Sequence, residues 1–205
     1  MTVEPVSSAV ATSVETVFPG VLRWSVYSPA HKVELTSHAV GIGDTGIVFD
    51  PIPLAAPIWD WFPPRGAPTA FVLTNENHER DLVRWQSLFP VPAWASPDAN
   101  LHLPYLQRWE SGPRPVCPIT GWEIVPLPGG EAAWFCPELS LAVFGDAVVN
   151  LTGRGLEILP DRYCTDPARL RQSLRGLVQR RFDRALFAHG NPLERSASAQ
   201  IAALL

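Results

Sequence analysis

The residues of this chain that could do chemistry fall in three places. Asn75, Asn77, His78, Glu79 and Arg80 crowd one short polar stretch, Asp146 follows the apolar run Leu139 to Phe144, and His189 follows Ala185 to Ala188. A carboxylate and an imidazole at the ends of apolar runs each need a polar partner. Together they make a general base, the acid orienting the ring while the ring takes a proton from water. The same groups are oxygen and nitrogen donors for a divalent transition metal, provided the imidazole is neutral. Arg80 adds a permanent cation that binds carboxylates through paired hydrogen bonds. Thr74 is the nearest hydroxyl, and no serine or cysteine motif accompanies the pair. Water is therefore the expected nucleophile.

The elements that must position these groups follow from the pattern. Ala70 to Leu73 reads as a buried strand that ends at Thr74 and feeds a helix over Glu79 to Phe89, with Leu82, Trp85 and Phe89 on one face. Val21 to Tyr27, Val33 to Val40 and Ile47 to Asp50 read as strands, the last closing on a carboxylate before Pro51. Gly41-Ile-Gly-Asp-Thr-Gly46 matches Gly-x-Gly-x-x-Gly, but a strand follows where a dinucleotide site needs a helix, so it reads as a hairpin. Further strands are expected at Val91 to Ala95, Trp122 to Val125, Ala132 to Cys136, Leu139 to Phe144 and Ala185 to Ala188. Asp166-Pro167 opens a helix with Leu170, Leu174, Leu177 and Val178 on one face, and Ala197 to Leu205 reads as a short last helix. Leu101 to Pro118 reads as loop. Two similar halves of strands and helices fit an αββα sandwich with polar strand ends along one edge.

In this order the residues resemble the metallo-β-lactamase superfamily. Its strand-end motif, Thr-His-x-His-x-Asp-His, stands here as Thr74-Asn75-Glu76-Asn77-His78-Glu79-Arg80. Asp50 sits where that family has an aspartate after an early strand, and Gly145-Asp146 matches its metal-bridging aspartate. His189-Gly190 matches its last histidine ligand, and Leu127-Pro128-Gly129-Gly130 resembles its Pro-Gly-His-Thr turn without the histidine. The resemblance spans nearly the whole chain. It implies an α/β (α+β) fold, a four-layer αββα sandwich of two mixed β-sheets with helices outside, in a hydrolase-like protein whose zinc site is degenerate.

The resemblance assigns a first metal position to Asn75, Asn77, the Gly129 or Gly130 position and Asp146, a set that cannot hold zinc. The second position would use Glu79, Arg80, Asp146 and His189, leaving Glu79, Asp146 and His189 as donors. The expectation is therefore no cofactor, or at most one zinc or other divalent transition metal, with Arg80 standing between Glu79 and Asp146 in the metal's place. His78 is a good ligand one residue out of register with the motif; it reads as a surface or capping histidine, and as a catalytic helper only if the turn is irregular. The expected activity is weak or mononuclear-metal hydrolysis centred on Asp146 and His189. The alternative is a non-catalytic, metal-free protein that binds a small anionic ligand through Asn75, Asn77, Arg80 and His189. Trp59 and Trp61, with Trp109, are loop residues that could line such a pocket.

Composition sets the outer bounds. At 205 residues, 46% hydrophobic and 18% charged, the chain reads as a single domain, 1–205, with a sizeable core. Residues 1–16 are expected to form a flexible segment that does not match a signal peptide, and no stretch is apolar for the length of a membrane span. Cys117, Cys136 and Cys164 are odd in number and widely spaced, so free thiols and a cytoplasmic protein are expected. The net charge of -4, with acids among the arginines of the Asp166 helix, argues against nucleic acid. A small-molecule ligand remains the expected partner, and self-association is left open.

Overall fold

A computed structural model describes residues 10–42, 45–55, 67–112 and 115–205. The described chain divides into two compact units: one of the residues up to Leu73 with Asn77–Trp94, the other of Thr74–Glu76 with Ala95–Leu205. Each is described by itself.

The first unit is a sheet with a helix. Strands β1 (Glu15–Phe18), β2 (Val21–Ser28), β3 (Val33–Ile42), β4 (Thr45–Phe49), β5 (Ala70–Val72) and β6 (Ala93–Ala95) follow one another in the sheet. The first four pair antiparallel; β4, β5 and β6 run parallel. Gly41 faces Gly46 across the β3–β4 pair, so the glycine motif is a hairpin, as its sequence context requires. The parallel strands are continuous apolar runs, the pattern of strands covered on both faces. Trp24 and Trp85 stack at 5.5 Å under this sheet, and both indoles donate to the Ile52 carbonyl. The N-terminal stretch, expected to be loose, is tied from Ala11 onward: its N–H donates to Pro53 and its carbonyl accepts from Ala55. Residues 1–9 lie outside the described residues.

Helix α1 (Leu82–Leu88) begins three residues later than the pattern suggests. The reason is Arg80, whose φ of 47° is left-handed and breaks helical continuity. Glu79 to Asp81 are spent on a turn.

The second unit carries β8 (Glu123–Leu127), β9 (Glu131–Cys136), β10 (Leu141–Phe144) and β13 (Arg184–Phe187) in the order β13-β10-β9-β8. β8, β9 and β10 are antiparallel neighbours, while β13 lies parallel to β10. A separate hairpin of β11 (Val148–Leu151) and β12 (Gly155–Ile158) follows Asp146; its mixed composition gave no strand signal. Leu106–Arg108, in the expected loop, forms a short strand, β7. Helix α2 (Pro167–Val178) is capped by Asp166, whose side chain accepts the Arg169 N–H at 2.9 Å, and it buries Leu170, Leu174, Leu177 and Val178 as its spacing requires. Helix α3 (Ala197–Ala202) packs into the same core through Ala197 and Ile201. All three cysteines are free; burial pushes the Cys117 thiol up to about 11 and raises that of Cys136. No helix among the described residues is long and apolar enough to cross a membrane.

Candidate active site

Parallel register brings Asp146 and His189 together. Phe144 of β10 is the partner of Phe187 of β13. The Ala188 N–H then continues the ladder to the Phe144 carbonyl, so two residues beyond each strand end the side chains of Asp146 and His189 stand side by side. His189 Nε2 lies 3.0 Å from Asp146 Oδ1, and the two side chains keep 12% and 28% of their surface exposed. The other carboxylate oxygen, Oδ2, accepts from Asn75 Nδ2 at 2.6 Å. Asn75, Asp146 and His189 are thus one hydrogen-bonded group, open to solvent on the acid and imidazole side.

A buried carboxylate that sequence reasoning passed over holds this group in place. Glu131 opens β9 and is 5% exposed, and its Oε1 accepts the Ala147 N–H at 2.8 Å. The Thr74 carbonyl accepts from Ala132 N–H, one residue on. The start of β9 therefore grips both the turn that carries Asp146 and the one that carries Asn75. A Cβ on Gly145 would stand 2.7 Å from Thr74 Oγ1 and 2.9 Å from Glu131 Oε1, so a side chain here would displace the Thr74 hydroxyl and the Glu131 carboxylate. An acid at the head of the strand Glu131–Cys136, otherwise apolar and wholly buried, was the available signal. Glu131→Gln keeps an acceptor for Ala147 and is expected to leave the Asn75 side-chain amide resonances, pulled downfield by Asp146, in place; Glu131→Ala is expected to shift them and to lower stability by about 2 kcal/mol. Unchanged Asn75 resonances in Glu131→Ala would remove this role.

The polar turn belongs to the first unit from Asn77 onward, and its side chains attach to the Asp50 corner. His78 is 4% exposed, and its Nδ1 lies 3.1 Å from Asp50 Oδ2. This corrects its reading as a surface or capping histidine. Arg80 Nη1 donates to the carbonyls of Thr36 at 2.6 Å and Asp50 at 3.0 Å, and Asp81 N–H donates to Pro51. The Nη1 contacts of Arg80 are thus with main-chain oxygens, one on β3 and one at the Asp50 corner. Glu79 is half-buried and Asn77 exposed. Trp109 is 4% exposed and packs edge-on against Trp134 at 5.5 Å, so it is core and not pocket lining. Trp59 and Trp61 lie outside the described residues.

These positions decide which metal chemistry the residues fit. At the first position Asn75 is an amide bonded to Asp146, and Gly130 adopts a φ of 72°, where a Cβ would come within 2.8 Å of the Ala99 Cα. That set does not fit zinc. Asp146 and His189 do fit a single divalent ion, as an oxygen and a nitrogen donor already adjacent.

No family model and no curated protein matches the chain, whereas solved structures do. A metallo-β-lactamase from Erythrobacter litoralis superposes with a TM-score of 0.69 at 16% identity, over 93% of this chain and 90% of that one. The metallo-β-lactamase FIM-1 from Pseudomonas aeruginosa, in its mono-zinc form, gives 0.72 at 17% identity over 98% and 96%. A protein solved in a di-iron-bound form gives 0.63 at 21% identity over 86% and 97%. The chain has the metallo-β-lactamase fold, with mixed sheets and few helices, as the order of its motifs implies.

Proposed function

We propose that this protein is a hydrolase-like member of that fold with a degenerate metal site, working with at most one metal ion and with weak or altered turnover. The observation that carries the reading is the Asp146–His189 contact at 3.0 Å, with the Asn75 amide on the second carboxylate oxygen. Asn75 holds one carboxylate oxygen of Asp146 and leaves the other facing His189. Asp146 in turn orients the imidazole, the base that can take a proton from water. Asp146 and His189 would hold the ion, which when bound lowers the pKa of water and polarises the bond to be cleaved. The competing metal-free reading, an anion pocket built on Asn75, Asn77, Arg80 and His189, draws less support. Asn75 is already engaged with Asp146, and Arg80 with two carbonyls.

Elemental analysis by plasma mass spectrometry tests the proposal on protein purified without chelator and again after incubation with zinc. About one metal per chain is expected, falling to a small fraction in Asp146→Asn and in His189→Ala. A matching loss in His78→Ala would assign that residue to the ligand set. No metal after zinc incubation, or a content indifferent to Asp146 and His189, would overturn the reading in favour of a metal-free binder.

A further inference from the structure

Beside Asp146 the second unit forms an open cleft of about 240 Å³, with Val149, Leu151, Leu159 and Pro160 as its apolar walls. Its charged residues differ in how they are engaged. Arg154 forms a two-point pair with Glu157, Nε to Oε1 at 3.0 Å and Nη2 to Oε2 at 2.6 Å, which neutralises both. Arg162 is exposed, lies over the Tyr163 ring at 4.7 Å, and has no carboxylate partner among the described residues. The cleft therefore offers an apolar floor, one uncompensated guanidinium against an aromatic face, and the carboxylate of Asp146.

We infer that this cleft is a binding site for a small carboxylic acid whose apolar body is one ring or a short acyl chain, with the ligand's carboxylate on Arg162. The size follows from the volume: about 240 Å³ between these apolar walls accommodates one ring and a short arm. The orientation follows from charge, because the ligand's carboxylate is drawn to Arg162 and repelled by Asp146. The inference rests on the proposed hydrolase in one respect, that a bond to be cleaved would be the part of the ligand that faces Asp146. It names the substrate class for that centre: small acids carrying a hydrolysable bond and a single apolar group.

Titration of the full chain with phenylacetate, 2-phenylethanol and 2-phenylethylamine, followed by methyl and amide NMR, tests this with and without prior chelation. Phenylacetate is expected to shift the Val149 and Leu151 methyls with a Kd on the order of millimolar, as for a fragment of about ten atoms. The amine should bind about tenfold more weakly. Arg162→Gln, an exposed change, should abolish the preference for the acid and leave the alcohol unaffected, while Leu151→Trp should fill the cleft and block every probe. Amine binding as tight as the acid's, an acid preference that survives Arg162→Gln, or shifts mapping elsewhere would overturn it. Because chelated protein is included, the two readings separate. Phenylacetate binding by a chain that holds no metal keeps the cleft and loses the hydrolase, and ester hydrolysis without any phenylacetate shift does the reverse.

Discussion

A histidine placed at position 130 lowers stability by about 2 to 5 kcal/mol and brings no zinc with it. The resemblance to the Pro-Gly-His-Thr turn makes Gly130→His the obvious repair, and the backbone forbids it. Gly130 sits at a φ of 72°, a conformation that costs an L side chain roughly 1–2 kcal/mol. Its Cβ would approach Ala99 Cα at 2.8 Å, with Ala99 N and the Asp98 carbonyl at 3.1 Å, and these are main-chain atoms that cannot rotate away. Displacing them adds overpacking of about 1–3 kcal/mol. For a chain of this length the midpoint should fall by roughly 5 to 15 °C. Thermal unfolding and metal analysis of Gly130→His check both halves: a near-native midpoint together with an added zinc would mean that the site lost its ligand by a single substitution. Arg80→His should likewise gain no zinc, since it strips Nη1 from the Thr36 and Asp50 carbonyls and leaves both oxygens without that donor.

The same backbone adaptation sets the limit of what the sequence discloses. Strand ends were legible because apolar runs stop at isolated polar residues. Asp146 and His189 stand out for that reason, and the order of Asp50, the Thr74 turn, Gly145-Asp146 and His189 carries the fold. Helix α2 was legible from Asp166-Pro167 and four apolar positions, all of which are buried. The turn from Asn75 to Asp81 was not, because its outcome depends on residues far off in the chain. Whether His78 points outward or to Asp50, 28 residues earlier, is tied to the left-handed φ of Asp50 and Arg80, and an arginine gives no sign of one. Glu131 escaped notice for a related reason. Its partner, the Ala147 N–H, is a main-chain group that has no signature in the sequence. The β11–β12 hairpin, which supplies Val149, Leu151, Arg154 and Glu157 to the cleft beside Asp146, has half-buried residues throughout β12 and three in β11, and so lacks the alternation that marks a strand.

His78→Ala is expected to destabilise the first unit by about 3 kcal/mol, close to the loss from breaking a buried charged contact. Asp50 is 2% exposed and closes β4 at a φ of 48°, so its carboxylate cannot swing out to water without unmaking the corner. That corner is load-sharing: Ser37 Oγ donates to the Asp50 carbonyl and accepts the Ile52 N–H, Arg80 binds the same carbonyl, and Asp81 N–H reaches Pro51. Losing the His78 contact leaves a buried acid short of a donor at the point where strand, turn and helix α1 meet. His78→Asn keeps a donor of shorter reach and should lose about 1 kcal/mol. A double-mutant cycle with Asp50→Asn isolates the pair, and a coupling of at least about 1 kcal/mol is expected from urea unfolding. If His78→Ala stays within about 0.5 kcal/mol of the parent, the pair contributes nothing to the fold. The same variant read for metal then separates the two roles of this histidine. Its Nδ1 lies against Asp50 Oδ2, which leaves Nε2 as the ring nitrogen that an ion would use.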